Sequence, residues 1–196
     1  MSDSRNAILA DLRGSRPPAA PAIRRVAPPP MPDDAISVLR NRVEAAGGLL
    51  ETVRRDRLLS DISWPIELET TQHLFSTLPE LANRGVGVDG TWDHDLARLE
   101  LCVVEAEFAV VENGAAWQVP DTPRCRTAAL LAEHLIVVVA AEALVPTLHQ
   151  AYARIDLMQS SFGWFLCGPS KTADIEQALV LGAHGPRTMS LILASS

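Results

Sequence analysis

The chain has 196 residues, of which 47% are hydrophobic, with a mean hydropathy of +0.11; that is enough apolar material for one domain with a full core. Its net charge is −7, and beyond residue 32 twelve basic side chains stand against twenty-two acidic ones with no aromatic-basic stripe, which excludes a nucleic-acid binder working through a basic face. The longest apolar run, Leu135–Ala141, falls far short of a membrane span of ~20 residues, and three cysteines without framework spacing suit a reducing compartment.

In chain order, Asn6–Arg13 carries Ile8, Leu9 and Leu12 on one face, which predicts a short helix in need of a partner surface. Charged residues at Asp3, Arg5, Asp11 and Arg13 leave no signal-peptide core, so a cytoplasmic location is expected. Residues 17–32 hold seven of the fourteen prolines and no acidic side chain, the composition of an extended arm. Residues 1–32 thus form an N-terminal helix and Pro-rich arm with five Arg against two Asp, a net +3, and residues 33–196, at −10, form the domain proper. A basic arm on an acidic body folds back or docks on another subunit, which admits a homodimer.

From Asp33 or Asp34 a helix is predicted through Ala46, with Ile36, Leu39 and Val43 inward and Gly47-Gly48 ending it. Leu49–Val53 reads as a strand, and Arg54-Arg55-Asp56-Arg57 as a solvated helix end. A second helix is predicted over about 70–81 and a strand at 86–88, then short strands at 101–104, 108–111 and 115–119. Leu135–Ala140 reads as a buried parallel strand from its β-branched run, and Leu144–Ile155 as the returning helix. This alternation predicts an α/β fold with a parallel-rich, doubly wound sheet and ligands at the C-terminal ends of its strands.

Lys171 is the only lysine, and the other sixteen basic residues are all arginine. It lies between the strand-like run Phe162–Cys167 and a stretch, 173–181, whose Ile175, Ala178 and Leu179 suit one helix face. Gly168-Pro169 punctuates the two, and Ser170 or Thr172 is placed to cap the helix. A strand, a turn and a helix N-terminus would offer free N–H groups to a small carboxylate or phosphate, with Lys171 adding a point charge. The same residues also suit an ordinary strand-to-helix connection, with Asp174 and Glu176 favouring the helix dipole. A Walker loop is not met, because Pro169 stands where its lysine is required, and Ser170 lacks the glycine of a nucleophile elbow two positions on.

Gly168-Pro169-Ser170-Lys171-Thr172-Ala173-Asp174-Ile175-Glu176, with Leu179-Val180-Leu181-Gly182-Ala183-His184-Gly185-Pro186 after it, resembles the C-terminal signature of the LUD-domain family, within it the lactate-utilization protein C group. Upstream, Val111-Glu112-Asn113-Gly114-Ala115 is similar to that family's Ala-Glu-Thr-Gly-Thr segment, with Asn113 and Ala115 in place of both threonines. The resemblance covers residues 85–194 well and 33–84 in outline. It implies a NagB/RpiA/CoA-transferase-like fold. It also implies a part in bacterial oxidation of L-lactate to pyruvate, beside two partner proteins that carry the iron–sulfur clusters. No cluster is expected on this chain itself, because Cys102, Cys125 and Cys167 are widely separated and form no Cys-x-x-Cys pair, and the pocket is expected to take a small anion or a cofactor.

The candidate ligand-binding set is Glu112, Asn113, Gly114, Gly168, Ser170, Lys171, Thr172, Asp174, Glu176, His184 and Gly185, with Glu112 the one candidate for catalysis. Lys171 would hold an anionic group, and Glu112 or Asp174 would orient a hydroxyl or amine. Val111-Glu112-Asn113-Gly114 is also similar to the Ser-Glu-Asn-Gly motif of class I CoA transferases, whose glutamate forms an acyl-enzyme thioester, although Val111 replaces the serine and Asn-Gly is a common hairpin turn. An acyl-transferring or phosphate-ester-handling enzyme and a scaffold protein therefore stand as alternatives to the accessory subunit. Asp93-His94-Asp95 has metal-compatible ligand types, but Asp93 equally caps a helix, and no metal site is expected.

Overall fold

The computed structural model describes residues 2–15, 27–71, 73–85, 94–156, 158, 162–175 and 178–196. Helix α1 spans Ser2–Gly14, as the periodicity of its apolar residues predicts, and Ile8 and Leu12 on it remain exposed. The proline-rich stretch at 16–26 lies outside the described residues. Pro29, beyond it, accepts a hydrogen bond at its carbonyl from Gln150 Nε2 at 3.4 Å, which ties the chain's entry into the body.

A five-stranded, wholly parallel sheet forms the centre of the body: β1 (Leu49–Arg54), β2 (Leu74–Ser76), β3 (Leu101–Glu105), β6 (His134–Ala140) and β11 (Thr188–Ser195), in the order β1-β11-β6-β3-β2. Val, Ile and Leu dominate β3, β6 and β11 because both faces are covered, and alternate residues divide between two cores. Cys102, Val104, Leu135, Val137, Leu191 and Leu193 face one core. Val103, Ile136, Val138 and Ile192 face the other. Each fully buried Leu or Ile of this kind contributes about 1.5–3 kcal/mol.

Helix α2 (Ala35–Ala45) lays Leu39 and Val43 on the first face, beside α4 (Pro123–Leu131). Pro at the first turn and the Thr122 hydroxyl, accepting from Cys125 N at 3.1 Å, start α4. The second face is covered by the short helix α3 (Leu58–Asp61) and loop residues Ile62, Leu68, Leu78 and Leu81.

A second sheet, ordered β7-β4-β5-β8, is inserted between β3 and β6 in the chain path and continues after β6. It comprises β4 (Phe108–Val110), β5 (Ala115–Gln118), β7 (Leu144–Val145) and β8 (Trp164–Leu166). With α5 (Leu148–Arg154) it encloses a small core of Phe108, Val110, Trp117, Val145 and Ala151.

Three expected helices are corrected. Residues 70–81 form strand β2 and a 3-10 turn at Pro79–Leu81, because Pro79 cannot sit inside a helix and Leu74–Ser76 pairs with β3. Residues 144–155 divide at Pro146 into β7 and α5, the latter capped by the Thr147 hydroxyl accepting from Gln150 N. The stretch after Lys171 is an antiparallel hairpin, β9 (Lys171–Ile175) with β10 (Ala178–Leu181). The strand expected at 86–88 and the supposed cap Asp93 lie outside the described residues. No helix among the described residues is long and apolar enough to cross a membrane.

Candidate functional site

Val111–Gly114 is the turn joining antiparallel strands β4 and β5. Gly114 closes it with its N–H on the Val110 carbonyl at 2.9 Å and adopts φ +77°, the left-handed conformation for which Asn-Gly turns are selected. Asn113 Oδ1 accepts from Ala115 N at 3.1 Å and so fixes the turn. Glu112 is exposed, and its Oε2 accepts the Leu148 N–H at 2.7 Å. That N–H belongs to the first turn of α5, so the carboxylate sits at the positive end of a helix as a cap.

Residues 167–172 run alongside this turn. The Cys167 thiol donates to the Asn113 carbonyl at 3.4 Å. Gly168 adopts φ +69°, and a Cβ there would come within 2.5 Å of the Ala46 carbonyl oxygen. A Cβ on Gly114 would come within 3.0 Å of Val43 N. Both glycines are therefore required by the same object, the C-terminal turn of α2, which presses on each backbone.

Lys171 is exposed and extends its Cε and Nζ over Gly47, where α2 ends. A cation at that position complements the negative end of the helix. Burial pushes the Cys167 thiol up from its ordinary value, and the Lys171 charge pulls it the other way.

Ser170 is bound on both sides by the signature's second half. Its N–H donates to the Pro186 carbonyl at 2.8 Å and its carbonyl accepts from Gly182 N at 3.0 Å. A Cβ on Gly185 would approach Ser170 Cβ to 3.0 Å. His184 is exposed in this turn, and Thr172, half-buried, pairs with Val180. Asp174 lies in β9, three positions on from Lys171. Glu176 lies outside the described residues.

The structure thus gathers Asn113, Gly114, Gly168 and Lys171 around the last turn of α2, with Ser170 and Gly185 stitched beside them. Two expectations fail. The hairpin removes the helix N-terminus that was to supply N–H donors after Lys171. The patch also lies at the amino ends of β1 and β11, since Gly47 precedes β1 and Pro186 precedes β11, where the carboxyl ends were expected. The carboxyl ends of β2, β3 and β6 instead border a cleft of about 400 Å³ lined by Thr77, Glu105, Glu107, Gln118 and Asp121. The signal missed there was the acidic residues at the end of β3 and shortly after β3 and β5, Glu105, Glu107 and Asp121. Among the described residues no three His, Cys, Asp or Glu side chains are grouped to hold a metal.

The LUD domain family model matches residues 81–194. The chain belongs to the LUD-domain family. This LUD chain is 30% identical over 168 residues to lactate utilization protein C of Exiguobacterium sp., covering 82% of the chain and 66% of that relative. It is 35% identical over 102 residues to lactate utilization protein C 1 of Bacillus mycoides, covering 48% and 43%. A Geobacillus sp. lactate utilization protein C matches at 29% over 131 residues, 59% of this chain and 54% of the relative. The LUD chain thus spans about two fifths to two thirds of the length of these relatives. Its fold is shared with a DUF162 family protein from Deinococcus radiodurans at a TM-score of 0.60 and 14% identity, over 82% of this chain and 96% of that one. The parallel-rich α/β architecture expected from the sequence is the one found.

Proposed function

We propose that this LUD chain serves L-lactate utilization as a subunit without a cluster, working beside partner proteins that carry the iron–sulfur centres, and that the face around Lys171 takes a small carboxylate. The observation that supports this most directly is the similarity over 168 residues to a relative named lactate utilization protein C. The chemistry is compatible with it. Lys171 offers an exposed ammonium, Ser170 and Thr172 offer hydroxyls next to it in the chain, and His184 is exposed in the turn that closes on Ser170. Cys102 and Cys125 are buried, Cys167 is exposed, and none of the three belongs to a Cys-x-x-Cys pair.

The test is reconstitution. The purified chain is combined with its candidate iron–sulfur partners and L-lactate-dependent dye reduction is measured with and without it. Activity should be lost when the chain is omitted, and Lys171→Ala should raise the lactate concentration needed for half-maximal rate. Full activity without the chain would end the accessory-subunit reading.

A second reading keeps one specific observation. Glu112 is exposed, as an acyl-accepting carboxylate must be. In that case incubation with an acyl-CoA yields an acyl-enzyme trapped by hydroxylamine, and Glu112→Gln abolishes it.

A further inference from the structure

Helix α1 carries its apolar stripe into solvent. Ile8 and Leu12 are 59% and 64% exposed, and a helix of 13 residues is marginal in water unless that stripe lies on something. Arg5 falls within the stripe, three and four positions before Ile8 and Leu9, and Arg13 borders it four positions after Leu9, with Asp11 on the other border. The face thus joins apolar area to an excess of positive charge, and residues 1–32 as a whole carry +3.

The body leaves a matching surface uncovered. Leu130 and Leu131 in the last turn of α4 and Leu181 at the end of β10 each keep about half of their surface exposed. They stand around one junction. The Leu130 carbonyl is 3.8 Å from where a Gly185 Cβ would sit, Gly185 abuts Ser170, and the Ser170 carbonyl accepts from Gly182, the residue after Leu181. Acidic residues rim this surface. The Glu133 N–H donates to the Leu99 carbonyl and the His134 N–H to the Glu100 carbonyl, which sets Glu133 beside exposed Glu100. Glu44 is exposed on the last turn of α2. Arg187, paired with Glu133, and Lys171 offset part of that charge, within a body that carries −10.

We propose that α1 of one copy lies on the leucine surface of a second copy, and that a two-fold axis reciprocates the contact. Ile8, Leu9 and Leu12 then cover the partner subunit's Leu130, the partner subunit's Leu131 and the partner subunit's Leu181, while Arg5 and Arg13 meet the acidic rim. Charge and apolar area together select this occupant. A lipid surface would cover the stripe and leave the leucines bare, and a foreign helix would do the reverse. In the single chain both remain exposed, and exchange buries both at once in a closed, isologous pair. Two contacts held in one assembly also reinforce each other, which a stripe of three apolar residues needs. Leu181 stands opposite Lys171 in the hairpin, so the arm of the second copy borders the Lys171 face. The exchange does not rest on the lactate reading.

The experiment is sedimentation equilibrium and cross-linking of the full chain, with circular dichroism confirming that each variant is folded. Ile8→Glu and Leu130→Glu, both at exposed positions, should each weaken the dimer about tenfold or more. A cross-link identifies the two surfaces. In a Cys167→Ser background, where the remaining cysteines are buried, Leu12→Cys chains are mixed with Leu130→Cys chains and treated with a short bismaleimide. The mixture should give a linked dimer that neither variant gives alone. A wild-type chain that stays monomeric at concentrations on the order of 100 µM, where a micromolar dimer would be saturated, overturns the proposal. So does a dimer indifferent to either glutamate. So does a mixture that links no better than its components, which is the result expected if α1 folds back on its own chain. Mass and cross-linking report association alone, so the exchange stands or falls separately from lactate-dependent activity.

Discussion

Strands β3, β6 and β11 are held by side chains, whereas the signature segment 167–186 is held by backbone. In the first region Val137, Val138, Leu191 and Ile192 are fully buried between two cores, and hydrophobic contact secures each position from both sides. In the second, Gly114 and Gly168 lie against the last turn of α2, and Ser170 is fixed through its own N–H and carbonyl. The comparison teaches where tolerance should lie. The sheet should accept changes of similar shape and suffer from lost volume. The patch should accept polar changes and suffer from a single added methyl group.

The largest effect belongs to the sheet. Leu191→Ala, at a position with no exposed surface, should lower the unfolding free energy by about 3 kcal/mol in urea titrations. Leu191→Ile should cost under about 1.5 kcal/mol. If the two cost the same, burial volume is not what secures the strand.

Next comes the glycine contact. Gly168→Ala adds a Cβ 2.5 Å from the Ala46 carbonyl at a positive φ and should cost about 2 kcal/mol, with Gly114→Ala, at 3.0 Å from Val43 N, costing less. A neutral Gly168→Ala in thermal unfolding would show that α2 does not press on the turn.

A smaller effect separates the roles of Glu112. Glu112→Ala removes the acceptor for the Leu148 N–H and should cost about 1 kcal/mol, while Glu112→Gln keeps an acceptor oxygen and should stay near wild type. A nucleophilic Glu112 would instead make both variants equally inactive in acyl transfer.

The smallest effect is a pH dependence. Burial raises the Cys102 and Cys125 thiols above their ordinary value of 9.0, so the folded chain keeps protons that the unfolded chain releases. Stability should therefore fall as pH rises past about 9, and a C102A/C125A variant should show a shallower fall. In the native state a thiol reagent should modify exposed Cys167 first.

The same contrast explains what could be read from residues alone. The parallel strands announced themselves through β-branched runs such as Leu135–Ala140, and α2 through its inward Leu39 and Val43 and its terminal glycines. The patch drew notice as well, because a lone lysine and a Gly-Pro break interrupt the apolar pattern there. The arrangement of its residues was not legible. Ile175, Ala178 and Leu179 fit a helix face and a hairpin equally, and the outcome is set by pairing between residues 171–175 and 178–181. Nor does any local pattern announce that α2, more than sixty residues before Gly114 and over a hundred and twenty before Gly168, is what both glycines are small for.

Helix α2 ends where β4–β5, the signature turn and the Lys171 side chain all come to rest against it. The signature is thus not a transferable cassette. Residues 168–186 grafted onto another scaffold would bring the letters of the motif without the surface that shapes them, unless Arg42–Gly47 travelled with them. For the same reason, cutting the chain between α2 and the rest would divide the candidate site itself, even though every motif residue would remain in one fragment.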